Sequence, residues 1–330
     1  MSLAVNDPYA SRRRGALGLG LALLSAASFG TAGSFADSLL SEGWSSGAVV
    51  TIRISLAALV LTAPALVQMR GRWRLLRSSL GTVALYGLVA VAGCQLFFFN
   101  AVERLDVGVA LLLEYMGIVL VVLWVWARTR RRPRRLTLAG IVTAIAGLVL
   151  VLNPSGGLDL VGVVWGLLAG TGLATYFVIS SRTDDALPPL VVAWSGMVVG
   201  ALTFGVFALV GVLPMRAATT SVELFGQQVS WLVPVLGLSV VAAALSYTTG
   251  VGAARLLGAT VASFVGLTEV LFAVLFAALS VGQIPGLPQL AGGLVVLVGV
   301  AVVRATDSSA DVTQEPDPAI ADARPAEVGA

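Results

Sequence analysis

Apolar residues run through this chain in long blocks. From Gly15 to Val303, stretches of about 18 to 24 apolar residues are separated by short polar breaks, and each is long enough for a helix to cross ~30 Å of hydrocarbon. The pattern predicts ten helices, near residues 15–38, 46–68, 80–101, 107–127, 136–153, 161–181, 189–213, 230–252, 257–280 and 285–304. Outer-membrane strands would instead leave segments of roughly ten residues with alternating polarity, and the sequence has none. The expected fold is an all-α membrane protein.

Composition strengthens this reading. Of 330 residues, 58% are hydrophobic and 11% charged, and the mean hydropathy of +0.96 lies far outside the range of soluble domains. Arg12-Arg13-Arg14 followed by an apolar run and Ser25-Ala26-Ala27 also fits a secretory signal. An uncleaved first helix followed by nine further spans accounts for the same pattern.

Charge sets the expected orientation. The chain has no lysine, and all of its 20 arginines except Arg53, Arg104 and Arg216 fall on one side if the spans alternate from a cytoplasmic N-terminus. Positive loops stay inside, so both termini are expected in the cytoplasm of a cell with an inner membrane. The Arg-rich loop from Arg128 to Arg135 reads as a topology signal facing anionic lipid, with no nucleic-acid partner. Cys94 is the sole cysteine and histidine is absent, which sets aside a disulfide framework, a zinc site and a histidine triad. No cofactor or metal is expected. Residues 305–330, rich in Asp, Glu, Pro and Ala, read as a disordered cytoplasmic tail.

The chain repeats itself. Leu138-Ala139-Gly140 with Gly147 returns as Leu290-Ala291-Gly292 with Gly299, and the link containing Arg104 matches the one containing Arg255. After a segment 1–14, residues 15–153 and 159–304 therefore form two five-helix repeats. An odd number of crossings makes the second copy enter from the opposite side, so the repeat is inverted, the architecture by which secondary transporters alternate their access. Gly166 with Gly170, and Gly196 with Gly200, have the spacing that lets helix backbones approach closely.

Taken together, Arg53 in helix two, the aromatic end of helix three, Gly108-Val109-Ala110-Leu111-Leu112-Leu113-Glu114-Tyr115 in helix four, Ala262-Ser263 with Thr268-Glu269 in helix nine and the paired Leu-Ala-Gly segments make the chain resemble the drug/metabolite transporter superfamily. The likeness is to its ten-helix exporters with tandem EamA-type domains, over nearly all of residues 15–304. It implies efflux of amino acids, related metabolites or toxic compounds through a central cavity formed mainly by helices three, four, eight and nine. Ile118 and Val270 stand where the family usually has proline, which predicts straighter helices four and nine here.

Ionisable groups at membrane depth are costly and mark functional sites. Arg53, Glu114 and Glu269 all fall roughly 10 to 12 Å from the outer face at ~1.5 Å rise per residue. Arg53 either binds a substrate carboxylate or forms a permanent ion pair with Glu114. Either glutamate is a candidate for coupling solute movement to protons. Tyr115 in helix four, Gln95 and Asn100 in helix three, Tyr176 in helix six, Trp194 in helix seven, and Ser246 and Tyr247 in helix eight are candidates for the solute path. Trp44 and Trp231, near helix ends, read as interface anchors.

The expected function is thus alternating-access export of a small molecule by a monomer or homodimer among membrane lipids, not enzymatic catalysis. A lipid flippase or passive channel on the same scaffold remains open. An embedded Mg²⁺-dependent lipid-phosphate enzyme would rest on Asp184-Asp185 alone, beside Arg182 and without a second acidic cluster.

Overall fold

The computed structural model describes residues 8–129, 135–152, 159–181, 187–280, 282 and 284–311. Asp184-Asp185 and most of the Arg-rich loop lie outside the described residues. Helix one consists of α1 (Pro8–Gly30) and α2 (Ala32–Leu40), and helix two is α3 (Ser46–Met69). After the short α4 (Trp73–Ser78), helix three is built from α5 (Leu80–Leu85), a π-helical segment π1 (Tyr86–Gly93) and α6 (Cys94–Val102). Then come α7 (Val107–Thr129), α8 (Arg135–Leu152), α9 (Leu160–Ser180) and α10 (Pro189–Leu209). A hairpin, β1 (Ser221–Leu224) with β2 (Gln227–Ser230), precedes helix eight, which comprises α11 (Leu232–Leu236), π2 (Gly237–Leu245) and the first part of α12 (Ser246–Gly266). Helix nine continues as α13 (Thr268–Ser280), and α14 (Leu287–Asp311) ends the described chain.

Among the described residues, seven helical stretches are long and apolar enough to cross a membrane. The other three expected spans correspond to shorter apolar stretches, Val107–Gly117, Arg135–Val151 and Leu287–Val303. The helical membrane architecture matches the block pattern, while several local expectations are corrected. The all-α fold carries a small hairpin, whose Phe225 (φ 54°) and Gly226 (φ 68°) both adopt the left-handed backbone of a two-residue turn. The expected link between helices eight and nine is a helical continuation ended by Gly258, whose φ of 79° and ψ of 163° turn the chain without a loop. Residues 305–311, expected in the tail, extend α14 because no proline interrupts it before Pro316.

Trp44 is not an interface anchor. It is 5% exposed, its indole N–H donates to the Ala218 carbonyl (2.8 Å) and its ring lies 5.8 Å from that of Trp231. The segment before the hairpin folds over the corner between helices one and two, where the Ser45 hydroxyl donates to the Pro214 carbonyl (2.6 Å) and accepts from the Arg216 N–H (3.0 Å).

The repeated glycines form a backbone-to-backbone seam. On α8 and α14, a Cβ added at Gly140 would lie 2.8 Å from the Gly299 carbonyl oxygen, and one at Gly147 would lie 2.8 Å from that of Gly292. The two helices thus cross antiparallel, with the glycine of each Leu-Ala-Gly segment facing the distal glycine of the other. The two π segments begin at Tyr86 and Gly237, positions that match when Arg104 is set against Arg255.

Candidate functional site: a buried polar network between helices two, three, four, eight and nine

Arg53 projects from α3 into the interior and is 1% exposed. One guanidinium nitrogen donates to the Gln95 side-chain carbonyl on α6 and the other to the Ala242 carbonyl in π2. The Phe99 ring lies under the guanidinium at 5.2 Å, a cation-π contact strengthened by exclusion of water. Nε of Arg53 is buried without a hydrogen-bond partner. Arg104 pairs with Asp159 at the surface (3.4 Å), but no ion pair joins Arg53 to Glu114, so the expected permanent pair is absent. Helix three supplies a neutral amide to Arg53 instead, which satisfies donors without neutralising charge.

The network continues through Gln95, whose amide donates to the Tyr247 hydroxyl (2.6 Å). Tyr247 in turn reaches the Ala90 carbonyl in π1 at 3.4 Å. Each π segment therefore contributes a main-chain oxygen to the same network. A π-helix shifts the backbone ladder by one residue, and such segments recur at functional sites.

Glu114, on α7, is 7% exposed and accepts from the Cys94 thiol (3.1 Å). It sits where helix four meets helix six. A Cβ added at Gly170 would stand 2.4 Å from the Glu114 carbonyl oxygen, and one added at Gly117 would stand 2.2 Å from the Gly170 backbone. Glu269 occupies a similar setting, with a Cβ added at Gly30 of helix one falling 3.2 Å from its carbonyl oxygen. Tyr115 joins the two helices, its hydroxyl lying 2.6 Å from the Gly266 carbonyl oxygen and 3.0 Å from Glu269 Oε2.

That contact coincides with a break in helix nine, correcting the expectation of a straighter helix. α12 ends at Gly266 and α13 begins at Thr268 without any proline between them. The Val270 N–H donates to Leu267 (3.2 Å), one residue short of the α-helical partner. The Thr268 hydroxyl takes the Val265 carbonyl (2.7 Å). A side chain inserted into the backbone ladder is an established cause of a kink, and Tyr115 supplies it.

Arg53, Gln95, Glu114, Tyr176, Tyr247 and Glu269 all line one central cavity, which encloses about 60 Å³. Tyr176 and Tyr247 form one wall with Phe29, their rings 4.9 to 6.2 Å apart. Tyr115 stands behind Glu269 rather than on the lining. Asn100, Trp194 and Ser246 lie off it: Asn100 donates to the Leu96 carbonyl (2.7 Å), Trp194 to the Thr62 hydroxyl (3.0 Å), and Ser246 to the Ala242 carbonyl (2.8 Å). Cys94, Phe29 and Ser25 also line the cavity and were not among the sequence candidates. Cys94 directly precedes the candidate Gln95, and that adjacency is its only signal in the sequence.

Comparison with known proteins agrees with this architecture. The profile of the EamA-like transporter family matches residues 16–153 and again 160–305. The chain is 25% identical over 301 residues, 89% of its length, to a Salmonella typhimurium protein named "Uncharacterized inner membrane transporter YicL", of which 96% is covered. It is 22% identical over 245 residues to an "Uncharacterized transporter" of Clostridium kluyveri, covering 72% of this chain and 76% of that one. A chain solved by crystallography shares the fold with a TM-score of 0.51 at 17% identity, over 93% of this chain and 100% of its own.

Proposed function

Because this chain belongs to the EamA-like transporter family, we propose that it is an inner-membrane carrier exporting small carboxylate-bearing solutes, such as amino acids or related metabolites, by alternating access. The observation that carries the substrate class is Arg53: a guanidinium 1% exposed, on the cavity wall, with no carboxylate in ion-pairing range among the described residues. A buried cation without a direct ion-pair partner favours an anionic ligand, and guanidinium pairs carboxylate with two parallel hydrogen bonds. The likeness to the Salmonella transporter and the distribution of arginines support an inner-membrane setting with both termini in the cytoplasm.

Alternating access draws on an inverted repeat of ten helices. Two features support it: the reciprocal glycine seam between α8 and α14, and the matched starts of π1 and π2. A two-fold relation makes contacts reciprocal in this way, and antiparallel crossing puts the axis in the membrane plane. A cavity of about 60 Å³ holds on the order of four waters, less than the ~300 Å³ of ordinary ligand pockets. The site therefore widens when a solute enters. Glu114 and Glu269 are the candidate groups for proton coupling.

Flux into proteoliposomes tests this reading. Carboxylate solutes are expected to show saturable uptake stimulated by counter-substrate, their methyl esters much less, and Arg53→Met is expected to abolish the difference. Equal flux of acid and ester would overturn the assignment of Arg53. With an imposed pH gradient, unchanged gradient-driven transport by Glu114→Gln would eliminate it as a coupling group.

One observation favours a second reading. A groove of about 220 Å³ between α7, α8, α13 and α14 is lined by apolar residues such as Leu112, Leu271 and Leu294, with Asp106 and Gln289 also on its wall. An acyl chain fits that chemistry, as a lipid flippase requires. Transbilayer movement of a fluorescent phospholipid without solute flux would establish it.

A further inference from the structure

Tyr115 has one hydroxyl proton and two acceptors within reach. The Gly266 carbonyl oxygen is at 2.6 Å and Glu269 Oε2 at 3.0 Å. One proton makes a full-strength bond to only one of them, a shared three-centre bond being weaker to each. With the hydroxyl donating along the shorter contact, the longer one is a full hydrogen bond when the Glu269 carboxyl carries a proton and donates it to the tyrosine oxygen. The Gly266 carbonyl is also the oxygen that the Val270 N–H would take in an unbroken helix, whereas that N–H donates here to Leu267. The tyrosine and the helix ladder compete for one acceptor.

We propose that Tyr115 is the positioning residue that links the protonation of Glu269 to the break in helix nine. With Glu269 protonated, Tyr115 donates to Gly266 and the ladder stays open at Leu267. When Glu269 releases its proton into the cavity it lines, the carboxylate becomes the stronger acceptor. The tyrosine proton turns to Oε2, the Gly266 oxygen is freed, and the Val270 N–H closes the helix across the break. One proton leaves the carboxyl, and one main-chain hydrogen bond changes partner.

This deepens the carrier reading and rests on it, because α13 forms part of the cavity wall through Glu269 and Ala273. The other titratable or charged groups facing Glu269 are Arg53 on α3, Cys94 on α6, Glu114 on α7 and Tyr176 on α9. Asp37 lies on α2, which also packs against α13, but Asp37 faces Asp106. Glu114 already accepts the Cys94 thiol and Arg53 is engaged by Gln95 and Ala242. Tyr115 is the side chain whose hydroxyl reaches both the Glu269 carboxyl and the Gly266 carbonyl at the break.

Spin labels on either side of the break read its geometry without any solute. Val261 on α12 and Leu275 on α13 are both exposed, and Cys94→Ser removes the native thiol while leaving a donor for Glu114. Distances measured by pulsed electron resonance in the reconstituted full chain from about pH 5 to about pH 9 should shift between two populations. Glu269→Gln, whose amide donates as the protonated acid does, is expected to hold the low-pH distribution at every pH. Tyr115→Phe is expected to hold the high-pH distribution at every pH. A wild-type distribution that does not move with pH, or variants that give the same distribution, would overturn the proposal. Should Tyr115→Phe fail to fold, the wild-type titration and Glu269→Gln still decide. A pH-dependent shift in a protein with no solute flux would leave this linkage standing and remove the carrier assignment, whereas flux with an immobile helix nine would do the reverse.

Discussion

Helices four and nine hold matching places in the two tandem family matches, and they differ in the continuity of their backbones. Each carries a glutamate on the central cavity, and each has that glutamate's carbonyl against a glycine of another helix, Gly170 for Glu114 and Gly30 for Glu269. Neither has a proline. Yet α7 runs unbroken from Val107 to Thr129, whereas helix nine breaks at Leu267. The difference comes from a side chain that one helix lends to the other, since Tyr115 belongs to helix four and takes a backbone oxygen of helix nine. A single polar contact lent by helix four thus accompanies a break in helix nine that helix four itself lacks.

The largest expected effect comes from removing what the copies share. Gly170→Leu would drive a side chain into the Glu114 carbonyl and the Gly117 backbone, all fixed atoms. Overpacking costs ~1–3 kcal/mol even where side chains can yield, and here they cannot. The expected result is failure to recover folded monodisperse protein, read by size-exclusion chromatography. Gly30→Leu meets the Phe272 Cβ first and should be the milder of the two.

A proline pair sharpens the contrast. Ile118→Pro enters an unbroken helix, removing a ladder bond and clashing with the carbonyl four residues back, at a cost of ~3 kcal/mol. Val270→Pro replaces an N–H that makes only the shortened 3.2 Å contact at the break, so its loss in thermal stability should be clearly smaller. Equal losses in thermal unfolding would show that the break does not relieve helix nine.

The smallest effect is expected at the surface. Arg104 and Asp159 form an exposed pair, and exposed pairs contribute little. Asp159 caps α9, and its carboxyl is held below its ordinary range first by the Gly162 N–H and then by Arg104. A lowered folded-state value stabilises above the unfolded value and is lost as pH falls through the folded one. Arg104→Ala should leave the unfolding temperature at neutral pH unchanged within error, and the acid-side loss should persist because Gly162 remains.

By itself the sequence determined that the chain lives in a membrane, where its helical blocks lie, that it repeats, and that Arg53, Glu114 and Glu269 belong together. These follow from local quantities: the length of an apolar run, the spacing of glycines, and the cost of a charge in hydrocarbon. Tertiary structure alone decided the partners. Arg53 pairs with Gln95 and the Ala242 carbonyl rather than with Glu114, because two π segments bring main-chain oxygens to the network where no residue pattern marks them. Asn100 and Ser246 bond carbonyls four residues back and Trp194 bonds Thr62, which leaves the cavity to Cys94 and Phe29. The break in helix nine was illegible for the same reason. Its cause stands 151 residues away at Tyr115, and a competition for one carbonyl oxygen exists only once the two helices have packed.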